Sequence, residues 1–279
     1  MMCCFVANII LDPIMIFGIG IFPAMGIAGA AYATGIGQCI TLIVYVLFYV
    51  ICRIPIKISS STIRPDKTIM KKLYSVGISA TLNLALPSLL ISMLNGMLAD
   101  FSQKYVLVLG VYYKLQTFIY LTANGIIQGI RPLVGYNFGA GKHDRVKKIF
   151  HTALIMNAGI MLTGTLLSWI IPGRLMGLFT ESAETIKIGI NALHIISTGF
   201  VISAVSITCS GALEGLGQGG KSLFISLLRY VVVILPSAYV FSRFMGADGV
   251  WTAFGFTEFV SAIFALYIYR HFTMRSLPE

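Results

Sequence analysis

Eight apolar stretches, each long enough to cross a bilayer, follow one another along this 279-residue chain. They cover about 4–22, 26–52, 73–98, 105–138, 149–171, 186–211, 222–243 and 249–270. A hydrocarbon core of ~30 Å needs roughly 20 apolar residues in a helix. Within it, every backbone N–H and C=O must find its partner inside the protein. Composition points the same way, with 57% hydrophobic and 11% charged residues against roughly 25% charged in soluble domains. The expectation is an all-α integral membrane protein of about eight transmembrane helices, with the lipid bilayer as its main solvent. The stretch 105–138 also carries Lys114, Gln116, Asn124, Gln128 and Arg131, so hydropathy alone does not define its membrane portion.

The net charge of +10 sits mostly between the stretches, where it orients a membrane protein rather than binding nucleic acid. Alternate loops carry thirteen Lys and Arg, from Arg53 to Arg275, while the opposite loops hold only Lys104, Arg174, Lys187 and Arg243. Basic loops stay inside, so both termini are expected in the cytoplasm and the protein in the cell membrane. Residues 53–72 combine Pro55, Pro65, a Ser-Ser-Ser-Thr tract and several Lys and Arg. They read as a cytoplasmic linker between a leading segment, residues 1–52, and a longer one, residues 73–279. Asp12-Pro13 interrupts the apolar start, which makes a poor signal peptide. The five cysteines have no metal-ligand spacing and read as packed or interfacial thiols.

Residues 25–38, MGIAGAAYATGIGQ, align with 245–258, MGADGVWTAFGFTE, at a constant offset. Met, Gly, Gly, Ala and Gly coincide, Gln38 faces Glu258, and Pro13 and Pro236 precede the two copies. The copies share one orientation in the topology above, as in transporters built from parallel repeats. Four stretches lie between the linker and the second copy, the last belonging to the repeated hairpin. Residues 73–279 therefore read as a six-helix bundle. Residues 1–52 read as the last helix pair of a matching bundle whose first four helices are missing.

No G-x-x-x-x-G-K-[ST] loop, H-E-x-x-H motif, G-x-S-x-G elbow or Ser/His/Asp set occurs. The chain is expected to be no enzyme, to hold no cofactor and to draw on an ion gradient. Asp12 is the sharpest residue, because a carboxylate deep in a membrane helix costs ~2.5–3.5 kcal/mol on insertion scales. Asn8 stands one turn before it on the same face, and Pro13 frees a backbone carbonyl alongside. Such oxygens suit Na⁺, and a desolvated carboxylate suits a proton. Arg131 is expected to snorkel to the cytoplasmic surface. Lys114 and Gln116, with Tyr112 and Tyr113, face either a watery cavity or the interfacial belt. His194 reads as a packed, hydrogen-bonded residue. Glu258 reads as a position that tolerates an amide, because its counterpart is Gln38.

The segments NIILDPIMIFG and GIAGAAYATGIGQ at 8–38, and IIQGIRPLVGYNFGAGKHDR at 126–145, resemble the multidrug and toxic compound extrusion family, in its bacterial multidrug-exporter branch. The resemblance covers the whole chain and implies twelve helices in two six-helix lobes, of which this chain would supply the fifth to the twelfth. It implies a monomer that exports small organic and often cationic compounds in exchange for H⁺ or Na⁺. It also implies a coupling site at Asn8, Asp12 and Thr34, completed by an acid on the first helix, and substrate contacts from Tyr113, Gln116 and Gln128. Two other readings stand beside it: a lipid-linked saccharide flippase of the same superfamily, and a membrane fragment that transports nothing.

Overall fold

The computed structural model describes residues 2–19, 23–52 and 66–276. They are helical almost throughout, and the chain divides into two compact units, Met1–Pro65 and Asp66–Glu279. Of the segment read as a linker, residues 53–65 lie outside the described residues.

The first unit is a helical hairpin, α1 (Met2–Phe17) and α2 (Ile27–Ile51). Gly18 closes α1 at a φ of 72°, with the N–H groups of Gly18 and Ile19 both donating to the Ile14 carbonyl at 3.0 Å. Gly29, Ala33 and Gly37 recur every four residues and are the buried residues of α2. A side chain at Gly29 would strike the Met15 carbonyl, and one at Gly37 would meet the Asn8 side chain. As α2 advances, its partners on α1 recede, so the two helices run antiparallel along a stripe of small residues. Close backbone approach of this kind is how helices associate in lipid, where burial of apolar surface supplies no drive.

The second unit begins at α3 (Lys67–Ala99), six residues before the apolar stretch at 73. The early start is explained by Asp66, whose carboxylate accepts from the N–H groups of Thr68 at 2.7 Å and Ile69 at 3.4 Å. Those bonds hold the Asp66 pKa below its ordinary value. There follow α4 (Gln103–Gly139), α5 (His143–Ile170), the short α6 (Pro172–Gly177), α7 (Ala183–Ser197) and α8 (Phe200–Gly215). The chain ends with α9 (Gly219–Leu227), a π-helical turn (Leu228–Val233), α10 (Ile234–Met245) and α11 (Ala247–Ser276).

Six helical segments among the described residues are long and apolar enough to span a membrane, and α7 with α8 makes a seventh, bent by 53°. The eighth expected stretch is the shorter apolar helix α1. Counted so, the second unit holds six spanning segments. Its main core gathers Leu90, Leu94, Leu109, Tyr112, Trp251 and Phe254 from α3, α4 and α11. Small residues again set the helix spacing. A side chain at Gly135 of α4 would lie 2.9 Å from the Gly215 carbonyl of α8, and one at Gly215 would lie 2.9 Å from the Arg131 carbonyl.

Candidate functional site

Chemistry in the first unit concentrates on one face of α1. Asn8 and Asp12 stand one turn apart, and each keeps one side-chain oxygen (Oδ1 in both) buried with no hydrogen-bond partner. The Asn8 amide finds only the Cys4 Sγ at 4.0 Å. Pro13 lies inside α1 and has no N–H, which leaves the Ile9 carbonyl without its helical donor. Three oxygens with unused acceptor capacity thus fall within about one turn. Thr34 behaves differently: its hydroxyl donates to the Ala30 carbonyl of its own helix at 2.9 Å, and the residue is exposed. The approaches of Gly29 to Met15 and of Gly37 to Asn8 place Asp12 about level with Ala33 across the hairpin, next to Thr34, whose hydroxyl bonds within its own helix. Among the described residues no three His, Cys, Asp or Glu side chains gather as a metal centre would require.

The second unit contains two adjoining cavities. The first, of about 400 Å³, is bordered by α3, α4, α8 and α9, with Asn83, Gln128, Arg131 and Glu214 among its walls. The glycine contact between α4 and α8 brings the Arg131 guanidinium onto the Glu214 carboxylate as an ion pair. Arg131 also donates to Gln128 Oε1 at 3.0 Å. Glu214 Oε1 accepts from Asn83 at 2.9 Å and from Ser222 at 2.7 Å. Four helices are therefore tied at one carboxylate. Arg131, expected to reach for the cytoplasmic surface, is half-buried with its side chain 34% exposed, and it meets a carboxylate from α8 that its own stretch of sequence does not announce.

The second cavity, of about 270 Å³, shares Pro87, Asn124, Arg229 and Tyr230 with the first. Arg229, carried by the π turn, forms an ion pair with Glu258 of α11, and each residue is 8% exposed. Tyr120 accepts from Arg229 at 3.4 Å and donates to Ser203 at 3.0 Å. Gly199, at the bend between α7 and α8, makes room for this pair, since a side chain there would come within 3.1 Å of Glu258 Cγ. Glu258 is thus no amide-tolerant position: its partner is a buried guanidinium that the alignment with Gln38 does not reveal. The second oxygen of Glu258 and the Tyr113 hydroxyl are both buried without a partner.

Of the residues named from the resemblance, Tyr113 and Gln116 line the second cavity and Gln128 the first. Lys114 points elsewhere, with its ammonium 5.5 Å from the centre of the Phe179 ring, as an interfacial residue would. His194 packs against Trp169 at 5.7 Å, while its Nε2 has no hydrogen-bond partner. Sequence reasoning passed over Arg229 entirely. The signal was present, since a lone arginine within an apolar stretch is costly enough to need a partner.

Comparison with known proteins agrees with this architecture. The MatE family profile matches residues 79–240. The chain is 26% identical over 262 residues to a multidrug export protein, MepA, of Staphylococcus aureus, covering 94% of this chain and 56% of that protein. A MepA of Staphylococcus saprophyticus is 27% identical over 263 residues, again over 94% of this chain and 57% of its own length. Among solved structures, one described as the outward-facing conformation of a multidrug resistance MATE family transporter superposes with a TM-score of 0.88. It is 23% identical and covers 99% of this chain and 62% of that one. The chain spans little more than half the length of the curated relatives it matches. With its helical hairpin, its six spanning segments and a profile match over more than half its residues, the chain belongs to the MatE family.

Proposed function

We propose that the protein acts in secondary active export, moving small organic compounds, cationic ones among them, out of the cell in exchange for H⁺ or Na⁺. In this reading it resides in the cell membrane with both termini in the cytoplasm and works as a monomer. The observation that carries the proposal is the pair of unpartnered oxygens on Asn8 and Asp12 beside Pro13. A buried acceptor without a donor is destabilising, and a carboxylate in a membrane helix more so. A small cation or a proton relieves both. Thr34 would join as the neighbouring hydroxyl after turning from the Ala30 carbonyl, and an acid on a first helix, which the family resemblance implies, would complete the site. The names of the MepA relatives, as multidrug exporters, support the choice of cargo.

The test is Asp12→Asn, which keeps size and hydrogen bonding but cannot carry a charge or exchange a proton. In cells expressing the protein, this change should abolish gradient-driven efflux of a fluorescent cationic dye while membrane insertion is unchanged. Efflux at the parent rate, still dependent on the gradient, would overturn the assignment. A lipid-linked saccharide flippase is the weaker reading. Such a cavity should be strongly basic, whereas both guanidiniums at these walls, Arg131 and Arg229, are already neutralised by carboxylates.

A further inference from the structure

The cavity of about 270 Å³ beside Arg229 and Glu258 has a polarity of its own. Its two charged wall residues form one buried ion pair, so its net charge is zero. A lone cation entering would set an uncompensated charge against Arg229, and a lone anion would do the same against Glu258; buried unpaired charge is strongly disfavoured. A neutral guest meets no such penalty. Two polar atoms of these lining residues lack hydrogen-bond partners: Glu258 Oε2 has no donor and the Tyr113 hydroxyl has no acceptor, each being buried as its side chain stands. Gln116 adds an amide. The remaining surface is largely apolar or aromatic, with the Tyr113 and Phe254 rings set edge to face at 6.5 Å. The volume lies just under the ~300–1,000 Å³ of drug-sized pockets, which favours a compact ring system.

We propose that this cavity binds neutral, bicyclic aromatic compounds bearing both a hydrogen-bond donor and an acceptor. On binding, the Glu258 and Tyr113 side chains turn their unpartnered atoms toward the guest, so that its donor bonds to Glu258 and its acceptor takes the Tyr113 hydroxyl while the ring lies against Phe254. The proposal deepens the export reading by naming a compound class for one cavity. Its test is equilibrium binding without any ion gradient, so it stands or falls separately from Asp12.

The probe is 7-amino-4-methylcoumarin, which is neutral and pairs an aromatic N–H donor with a lactone carbonyl. Binding to the chain in lipid nanodiscs is read by fluorescence polarisation, with empty nanodiscs subtracted. The expected result is saturable binding at least tenfold tighter than that of 7-dimethylamino-4-methylcoumarin, which has no N–H. Tyr113→Phe should weaken the amino compound severalfold. Glu258→Gln alone would strand Arg229, so the charge pair is tested as Arg229→Gln with Glu258→Gln, which keeps the pair neutral and hydrogen-bonding. In that double variant the preference for the N–H compound should fall below threefold. Equal binding of the two coumarins by the parent chain, no saturable binding, or an unchanged preference in the double variant would each overturn the proposal. So would displacement of the coumarin by an equal concentration of tetraphenylphosphonium, a cation without donors.

Discussion

The hairpins α1–α2 and α10–α11 carry the same glycine signature and put it to the same backbone use, yet their buried charges are handled in opposite ways. Gly26 and Gly246 both open their second helix at positive φ, 55° and 63°. Three residues on, Gly29 and Gly249 both press against a carbonyl of the preceding helix, Met15 in one case and Phe241 in the other. The connections differ, since Gly18 to Gly26 separates the first pair while Gly246 alone separates the second. So do the surroundings. Only Gly29, Ala33 and Gly37 of α2 are buried, whereas α11 buries Trp251, Ala253, Thr257, Glu258 and Ser261. In the second hairpin an acid on α11 is neutralised by Arg229. In the first, the acid lies on the other helix, with an oxygen left unpartnered. A shared backbone signature therefore sets how two helices meet and says little about the charge they carry.

The sharpest way to break this contrast is to remove charge from each hairpin. Arg229→Ala and Glu258→Gln should each destabilise the protein by about 3–5 kcal/mol, because each strands a buried partner. Asp12→Asn should leave stability unchanged or raise it, as it removes a carboxylate in a membrane helix that forms no ion pair among the described residues. Reversible unfolding in micelles measures both, and equal losses at Glu258 and Asp12 would erase the distinction. Next come the two close approaches. Gly29→Ala and Gly249→Ala should each lose about 1–3 kcal/mol as the added methyl pushes the helices apart. A loss at only one site would mean that the hairpins do not share their crossing. Gly26→Ala and Gly246→Ala should likewise cost about 1–3 kcal/mol each, because φ 55°, ψ −129° and φ 63°, ψ −144° are backbone conformations that a side chain strains.

The least effect is expected at Asp66, outside both hairpins. Its pKa is depressed by the N–H bonds it accepts, so its contribution is complete above the free-acid value of 3.8 and fades as pH falls through the lower folded value. Protection of the Thr68 and Ile69 amides against exchange, corrected for intrinsic rate, should decline there. In Asp66→Asn that acid-dependent decline should be absent.

Much of the fold was legible because hydropathy acts over whole stretches: every one of the eight apolar runs contains helix. Its edges were less so. The start of α3 at Lys67 depends on one cap at Asp66, and the division between α7 and α8 falls inside a single uninterrupted apolar stretch. Asn8 and Asp12 could be placed on one face because they are neighbours on a single helix. The pairs Arg131–Glu214 and Arg229–Glu258 could not, since each joins residues far apart in sequence, from helices whose close approach is set by glycines. A charge in an apolar stretch announces that it needs a partner without saying where the partner is.

The π turn at Leu228–Val233 makes the second cavity sensitive to chain length in a way that substitutions do not probe. A π turn accommodates one extra residue in an otherwise α-helical run, and each residue of an α-helix advances about 100° around its axis. Deleting a single residue from this turn would let α9 and α10 join as one regular helix. Everything after the deletion would then rotate by about that angle relative to everything before it. Arg229 and the α10 face that packs on α11 could no longer both hold their present directions. Insertions and deletions in this short segment should therefore be far rarer among functional sequences than changes of residue type, and a one-residue gap here would mark a protein with a different cavity.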